Sequence, residues 1–260
     1  MTALAVVAIV AGVVAAALAA RHRLRARELQ SRLDATTQEL QRVQQSCSML
    51  APAGVIQRVV SEGLAEIAER KVVTVMFTDL VGYSTLSETL DPQVVLRILN
   101  GYFQRVSDAV TEHRGRIGTY LGDGILSYFG ALEPNPWQCN DAVAAALVLR
   151  ESMKAYSREL EAEGLPAVTF GAGIHRGITF AGLVGSRDRK EYAVIGHTVN
   201  LAARVQALTR THATDILVTE GVREHLDPRI ALRTMPATAV KGIAEPVVTY
   251  GVVGAQQAAA

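Results

Sequence analysis

The stretch Val72-Val73-Thr74-Val75-Met76-Phe77-Thr78-Asp79-Leu80-Val81-Gly82-Tyr83-Ser84 decides how the rest of the chain is read. Val72 to Phe77 is a short β-branched and aromatic run without charge, the composition of a central strand covered on both faces. The run ends in a carboxylate, Asp79, and a loop containing Gly82 follows at once. An acid there either caps the next turn or holds a metal while loop N–H groups meet a phosphate. On the second reading the flanking residues Phe77, Thr78, Gly82, Tyr83 and Ser84 are candidate substrate contacts.

A second carboxylate occupies a comparable place. Arg116 to Leu121 and Ile125 to Phe129 are strand-like, and Gly122-Asp123-Gly124 between them is a tight hairpin signal. If these strands neighbour the first in one sheet, Asp79 and Asp123 can share two magnesium ions, the arrangement used for phosphoryl chemistry. Farther on, Glu191 to Ile195 predicts a strand, Gly196 a turn, and the residues from His197 a helix. Asn200 and Arg204 then lie on one helix face. The bland reading is a solvated surface; the functional one gives Arg204 phosphate oxygens and Asn200 a ribose or a nucleophile.

Phe77 to Ser84, Leu121-Gly122-Asp123-Gly124-Ile125-Leu126 and Val194 to Arg204 resemble, in order and spacing, the motifs of the class III adenylate/guanylate cyclase catalytic domain. The resemblance runs from about Val72 to Val253 and includes a closing Val240-Lys241-Gly242-Ile243 segment. It implies an α+β fold with a ferredoxin-like βαββαβ core, head-to-tail dimers, and conversion of a nucleoside triphosphate to its 3′,5′-cyclic monophosphate and pyrophosphate. It also implies that Asp79 and Asp123 hold two Mg2+ or Mn2+ ions per site, and that the partner chain supplies Asn200 to orient the ribose and Arg204 to stabilise transition-state charge. Lys241 becomes a candidate triphosphate contact.

The chain departs from the family at the purine pocket. Adenylate cyclases of the family usually place Lys four residues before the second metal Asp, and Asp or Thr seven residues before the Asn. Here those positions are Thr119 and Ala193, and neither carries the guanylate-type Glu or Cys. The residues leave the base open, and family frequency favours ATP over GTP.

The remaining sequence sets the domain expectations. At 260 residues, with 49% apolar residues and mean hydropathy +0.20, the chain suggests a membrane element. Residues 2–20 carry no charge, long enough for a transmembrane helix of ~20 residues. Arg21, Arg23, Arg25 and Arg27 follow, so the positive-inside rule places the downstream domain in the cytoplasm, at the cell membrane. Ala17-Leu18-Ala19 offers a signal-peptide reading, but the charged region that should precede the apolar stretch is missing.

From Ala26 the residues Leu29, Leu33, Thr36, Leu40, Val43, Cys47 and Leu50 alternate three and four apart, a coiled-coil seam that predicts a homodimer. The expected organisation is a transmembrane helix at 1–20, a basic cluster and coiled coil at 21–50, a transducer linker at 51–71, the catalytic domain at 72–253 and a disordered tail at 254–260. Asp91-Pro92 predicts a helix to about His113, and Trp137 one to about Leu160. Val168 to Ile174 and Ile178 to Val184 read as two strands joined at His175-Arg176-Gly177, with His175 structural.

A net charge of +1 gives no nucleic-acid surface. There is no G-x-x-x-x-G-K-[ST] motif and no Gly-Gly-Asp-Glu-Phe signature, which argues against a P-loop NTPase and a diguanylate cyclase. Two functions remain: a membrane-anchored homodimeric cyclase, and a non-catalytic dimer that keeps the fold as a regulatory or nucleotide-sensing module. Metal-binding and transition-state residues serve only the first.

Overall fold

The structure, a computed structural model, describes residues 21, 29–30, 32–33, 36–37, 68–186, 190–243 and 245–255. The chain divides into two compact units, Met1–Ser61 and Glu62–Ala260. In the first, the seam positions Leu29, Leu33 and Thr36 are helical, and Leu29 and Leu33 are exposed. The other seam positions, the apolar segment 1–20 and the linker 51–67 lie outside the described residues. No helix among the described residues is long and apolar enough to cross a membrane.

The second unit is built on one eight-stranded sheet. Its elements are β1 (Ala68–Val81), α1 (Tyr83–Thr89), α2 (Pro92–Glu112), β2 (Gly115–Leu121), β3 (Gly124–Phe129), α3 (Gln138–Ala162), β4 (Thr169–Gly185), β5 (Lys190–Ile195), α4 (His197–Thr211), β6 (Ile216–Thr219), α5 (Glu220–Arg223), β7 (Ile230–Thr234) and β8 (Thr249–Ala255). The strand order is β2-β3-β1-β4-β6-β8-β7, with β5 pairing to β4 off that path. The first four positions, joined by antiparallel pairs, are the four-strand order of a βαββαβ core. β6 extends that core parallel to β4, and β8 and β7 follow antiparallel.

β1 is central, and from Val73 to Met76 every side chain is buried. On one face Met76 and Leu80 pack with Ile98, Tyr102 and Val106 of α2 and with Ala142, Ala146 and Leu149 of α3. On the other, Val73 and Val75 pack with Leu126, Tyr128 and Ala202. The Asp91 side chain accepts from Gln93 N at 2.8 Å and Pro92 opens α2, as the sequence predicts.

One sequence expectation is corrected. His175-Arg176-Gly177 is no turn, because β4 runs unbroken from Thr169 to Gly185. The reason is its length of pairing partner: β1 matches it residue for residue from Ala68↔Gly182 to Val81↔Thr169, so the polar triplet stays in the ladder. His175 is structural. Its Nδ1 lies 2.8 Å from Thr219 Oγ1, and burial, aided by His197, pushes its pKa down to about 4. β1 likewise begins at Ala68, inside the stretch read as linker, and β8 ends at Ala255, inside the stretch read as tail.

Candidate active site

The β2–β3 hairpin turns on two residues, Gly122 and Asp123, with Leu121 paired to Gly124. Gly122 has φ +68, a left-handed conformation that glycine adopts without steric cost. β3 pairs with β1 in the register Thr78↔Ile125, which carries this turn alongside Asp79. The two carboxyls stand within hydrogen-bonding reach of each other. Asp79 sits two residues before the end of β1, opposite Gly171, with 21% of its side chain exposed.

Burial pushes the Asp79 pKa up to about 7, and the hydrogen bond and charge of Asp123 add to the shift. Arg210 and the Leu80 N–H oppose it. Two carboxylates forced together in a half-buried place are an unfavourable arrangement until a cation enters. Among the described residues no group of three or more His, Cys, Asp or Glu gathers. That donor set fits magnesium or manganese, which take one or two carboxylates and fill the remaining positions with water, backbone oxygen and substrate phosphates.

Asn200 and Arg204 lie elsewhere in the same chain. α4 crosses β4 on a row of glycines: an added Cβ would meet Thr198 Oγ1 at 2.6 Å from Gly177, Gln206 N at 2.1 Å from Gly173, and Thr209 Oγ1 at 2.4 Å from Gly171. The helix therefore runs antiparallel to β4, with its C-terminal end over Asp79. There Arg210 Nη2 lies 3.4 Å from Asp79 Oδ2. Asn200 is ten residues back along the helix, roughly 15 Å at 1.5 Å per residue. A single chain thus brings Asp79 and Asp123 together, with Asn200 displaced from them along α4 by roughly 15 Å and Arg204, six residues from Arg210, by roughly 9 Å.

The other candidates divide in the same way. Arg204 packs against the closing loop, and a Cβ on Gly242 would lie 3.1 Å from its Nη1. Lys241 is exposed beside that glycine. Thr119 in β2 and Ala193 in β5 are both half-buried, and the two strands approach each other. Tyr128 and Tyr192 bridge β3 and β5 with ring centroids 6.2 Å apart.

Around Asp79 the candidates differ in access. Phe77 is half-buried, with its ring under Gly124, and Tyr83 packs on the core. Gly82, at φ +78, turns the chain into α1, where Ser84 is exposed. The Thr78 side chain is fully buried, which leaves it no contact with substrate in this conformation. Arg210 escaped the sequence reading because a basic residue in a last helical turn is expected from the helix dipole alone. A cavity of about 570 Å3 lies between α3 and the start of β4, lined by Arg150, Met153 and Phe170 among others. Its lining does not include Asp79 or Asp123.

A βαββαβ sheet with paired carboxylates, one on the central strand and one on the adjoining hairpin, defines a class III nucleotidyl cyclase domain. The family described as adenylate and guanylate cyclase catalytic domain matches residues 66–254, and the chain belongs to that family. Adenylate cyclase 1 of Rhizobium meliloti is 31% identical over 191 residues, 74% of this chain and 29% of that protein. The adenylate cyclase of Anabaena cylindrica is 30% identical over 236 residues, 86% of this chain and 46% of that protein. The chain therefore spans less than half the length of these curated relatives.

Two solved structures match the domain as well. The adenylyl cyclase CyaB from P. aeruginosa is 28% identical with a TM-score of 0.69, covering 75% of this chain and 100% of that one. The guanylyl cyclase Cya2 is 30% identical with a TM-score of 0.68, covering 73% and 95%. An adenylyl and a guanylyl enzyme resemble this chain equally, so likeness selects no base.

Proposed function

We propose that this chain is a membrane-anchored homodimeric adenylate cyclase that converts ATP to 3′,5′-cyclic AMP and pyrophosphate for intracellular signalling. The observation that carries the reading is the pairing of Asp79 with Asp123, a costly arrangement in an empty fold and a useful one around cations. When bound, two Mg2+ or Mn2+ ions lower the pKa of the ribose 3′-hydroxyl and neutralise the phosphates. Asp79 and Asp123 hold them. Asn200 of a second copy orients the ribose, and that copy's Arg204, steadied against Gly242, stabilises negative charge on the α-phosphate. The guanidinium of Arg210, exposed beside Asp79, and the exposed ammonium of Lys241, next to the Gly242 that flanks Arg204 and so from the second copy, would meet the remaining phosphates.

The dimer reading rests on the ~15 Å between Asn200 and Arg210 and on the exposed helical leucines Leu29 and Leu33. Anchoring rests on the uncharged segment 2–20 and the arginines after it, which place the catalytic domain in the cytoplasm. ATP rests on the names of the curated relatives and on family frequency. The test is cyclic nucleotide formation by the purified chain with ATP or GTP and Mg2+ or Mn2+. Product that disappears in Asp79→Ala and Asp123→Ala supports the reading; no product from either triphosphate under either metal favours a non-catalytic, nucleotide-sensing dimer.

A further inference from the structure

At the C-terminal end of α4 a guanidinium faces the carboxylate pair, and it is held loosely. Arg210 Nη2 reaches Asp79 Oδ2 at 3.4 Å through one nitrogen alone. A well-made charge-assisted bond is about 2.7–2.9 Å, and Arg150 grips Asp215 with two nitrogens at 2.5 and 2.7 Å. The Arg210 side chain is 57% exposed and that of Asp79 21%. The carboxylate is largely packed in and the guanidinium stands in solvent, so the arginine is the partner that can move. Its base is seated, because the preceding residue, Thr209, lies directly over Gly171 of β4, where an added Cβ would meet Thr209 Oγ1 at 2.4 Å. An exposed ion pair of this kind adds little to stability; what it governs is which cation Asp79 can accept.

We propose that Arg210 is a tethered counter-ion that couples cation binding to triphosphate binding: it occupies Asp79 until a divalent cation takes that carboxylate, and the displaced guanidinium then meets the triphosphate. The inference rests on the proposed function, which gives Asp79 a cation and Arg210 a phosphate, and it adds the order of the two events. Before loading, Arg210 competes for Asp79 Oδ2 and is engaged there. Two positive charges repel at one carboxylate oxygen, so on loading Arg210 turns outward, where phosphate oxygens accept its fork of donors. A triphosphate that arrives before the cation meets two carboxylates and an arginine already engaged. Cation and triphosphate thus each tighten the other's binding, and part of that coupling passes through one side chain.

The test uses the full-length protein in two binding measurements. With Mn2+ alone, followed by the spin-resonance signal of the free ion, Arg210→Gln is expected to bind roughly 3-fold more tightly than wild type, the worth of an exposed ion pair. Equilibrium dialysis then gives the affinity for 3′-deoxy-ATP, with 3′-deoxy-GTP in parallel, both of which lack the attacking hydroxyl. Without Mn2+ the variant should match wild type; with saturating Mn2+ it should bind the analogue roughly 10-fold more weakly, having lost a charged hydrogen bond to phosphate. Arg210→Lys keeps the charge and should recover most of both effects. Unchanged affinity for Mn2+ alone overturns the competition. Analogue binding equal to wild type with Mn2+ overturns the handover, and analogue binding weakened equally with and without Mn2+ shows an arginine that was never withheld; either result sinks the proposal. Wild-type Mn2+ affinity in Asp79→Ala, or no binding of either analogue to wild type, overturns the proposed function itself and this inference with it.

Discussion

Arg210 Nη2 lies 3.4 Å from Asp79 Oδ2, so the end of α4 that reaches the Asp79–Asp123 pair is the end opposite Asn200, with Arg204 at the middle of the helix. Along the axis Asn200 is about 15 Å and Arg204 about 9 Å from that end, and the proposed function has a second copy close the gap. Mixing inactive Asp79→Ala with inactive Arg204→Ala should restore cyclase activity, because one of the two sites of a heterodimer then keeps every residue. Subunit exchange is followed by labelling. Exchange without recovered activity would place all four residues in one chain's site and reject the head-to-tail dimer.

The position of α4 depends on glycine. At Gly173 an added Cβ would meet backbone atoms, Gln206 N at 2.1 Å and Ala202 O at 2.5 Å, which cannot swing aside as a side-chain tip would. Gly173→Ala should cost about 3 kcal/mol, at the upper end of overpacking effects, and should push α4 and Arg204 off the sheet. Denaturant midpoints measure the first effect and turnover the second. A stable, fully active Gly173→Ala would mean that the helix tolerates displacement and that its close approach carries no function.

These two relationships also mark what the sequence could tell. The strand ending at Asp79, the Gly122-Asp123 turn, the Asp91-capped helix and the Gly196 turn into α4 were legible because each is a local signal: β-branched run, glycine turn, N-cap. What the sequence could not carry was register. β4 looked broken at His175-Arg176-Gly177 because a polar triplet reads as a turn, whereas the 14 paired positions along β1 hold it straight. Arg210 was invisible for the same reason, since its contact with Asp79 spans 131 residues.

The raised Asp79 pKa makes a pH prediction whose sign is fixed. Below the ordinary value of 3.8 the residue is protonated whether the chain is folded or not; between 3.8 and about 7 the folded chain keeps a proton that the unfolded chain has lost. The metal-free fold should therefore lose stability as pH rises through that window and level off above it. His175, held down near 4, acts in reverse, giving stability that is lost as pH falls below 6.5. Comparing wild type with Asp79→Asn removes the His175 contribution. Mn2+ must displace the proton, so its stabilising shift in melting temperature should grow with pH up to about 7 and then stop growing. A shift independent of pH from 5 to 8, or one equally large in Asp79→Asn, would rule out Asp79 as the coupled group.

If Thr119 and Ala193 line the purine pocket, as the resemblance implies, they offer a purine edge a hydroxyl and a methyl in place of an ammonium and a carboxylate or hydroxyl. Charge-assisted hydrogen bonds supply most of the discrimination in such a pocket, because a site built to pair with a polar group rejects the wrong one far more strongly than a merely shaped one. The chain should then turn over slowly, with a high KM and an ATP preference over GTP of only ~10-fold, the base being read by main-chain groups or water. Thr119→Lys combined with Ala193→Asp should sharpen that preference, since the half-buried side chains on the approaching strands β2 and β5 can present both charges to one ring. The measurement is competition between ATP and GTP for wild type and double variant under one metal. A wild-type ATP preference above ~10³-fold that the double variant leaves unchanged would show that the base is held elsewhere.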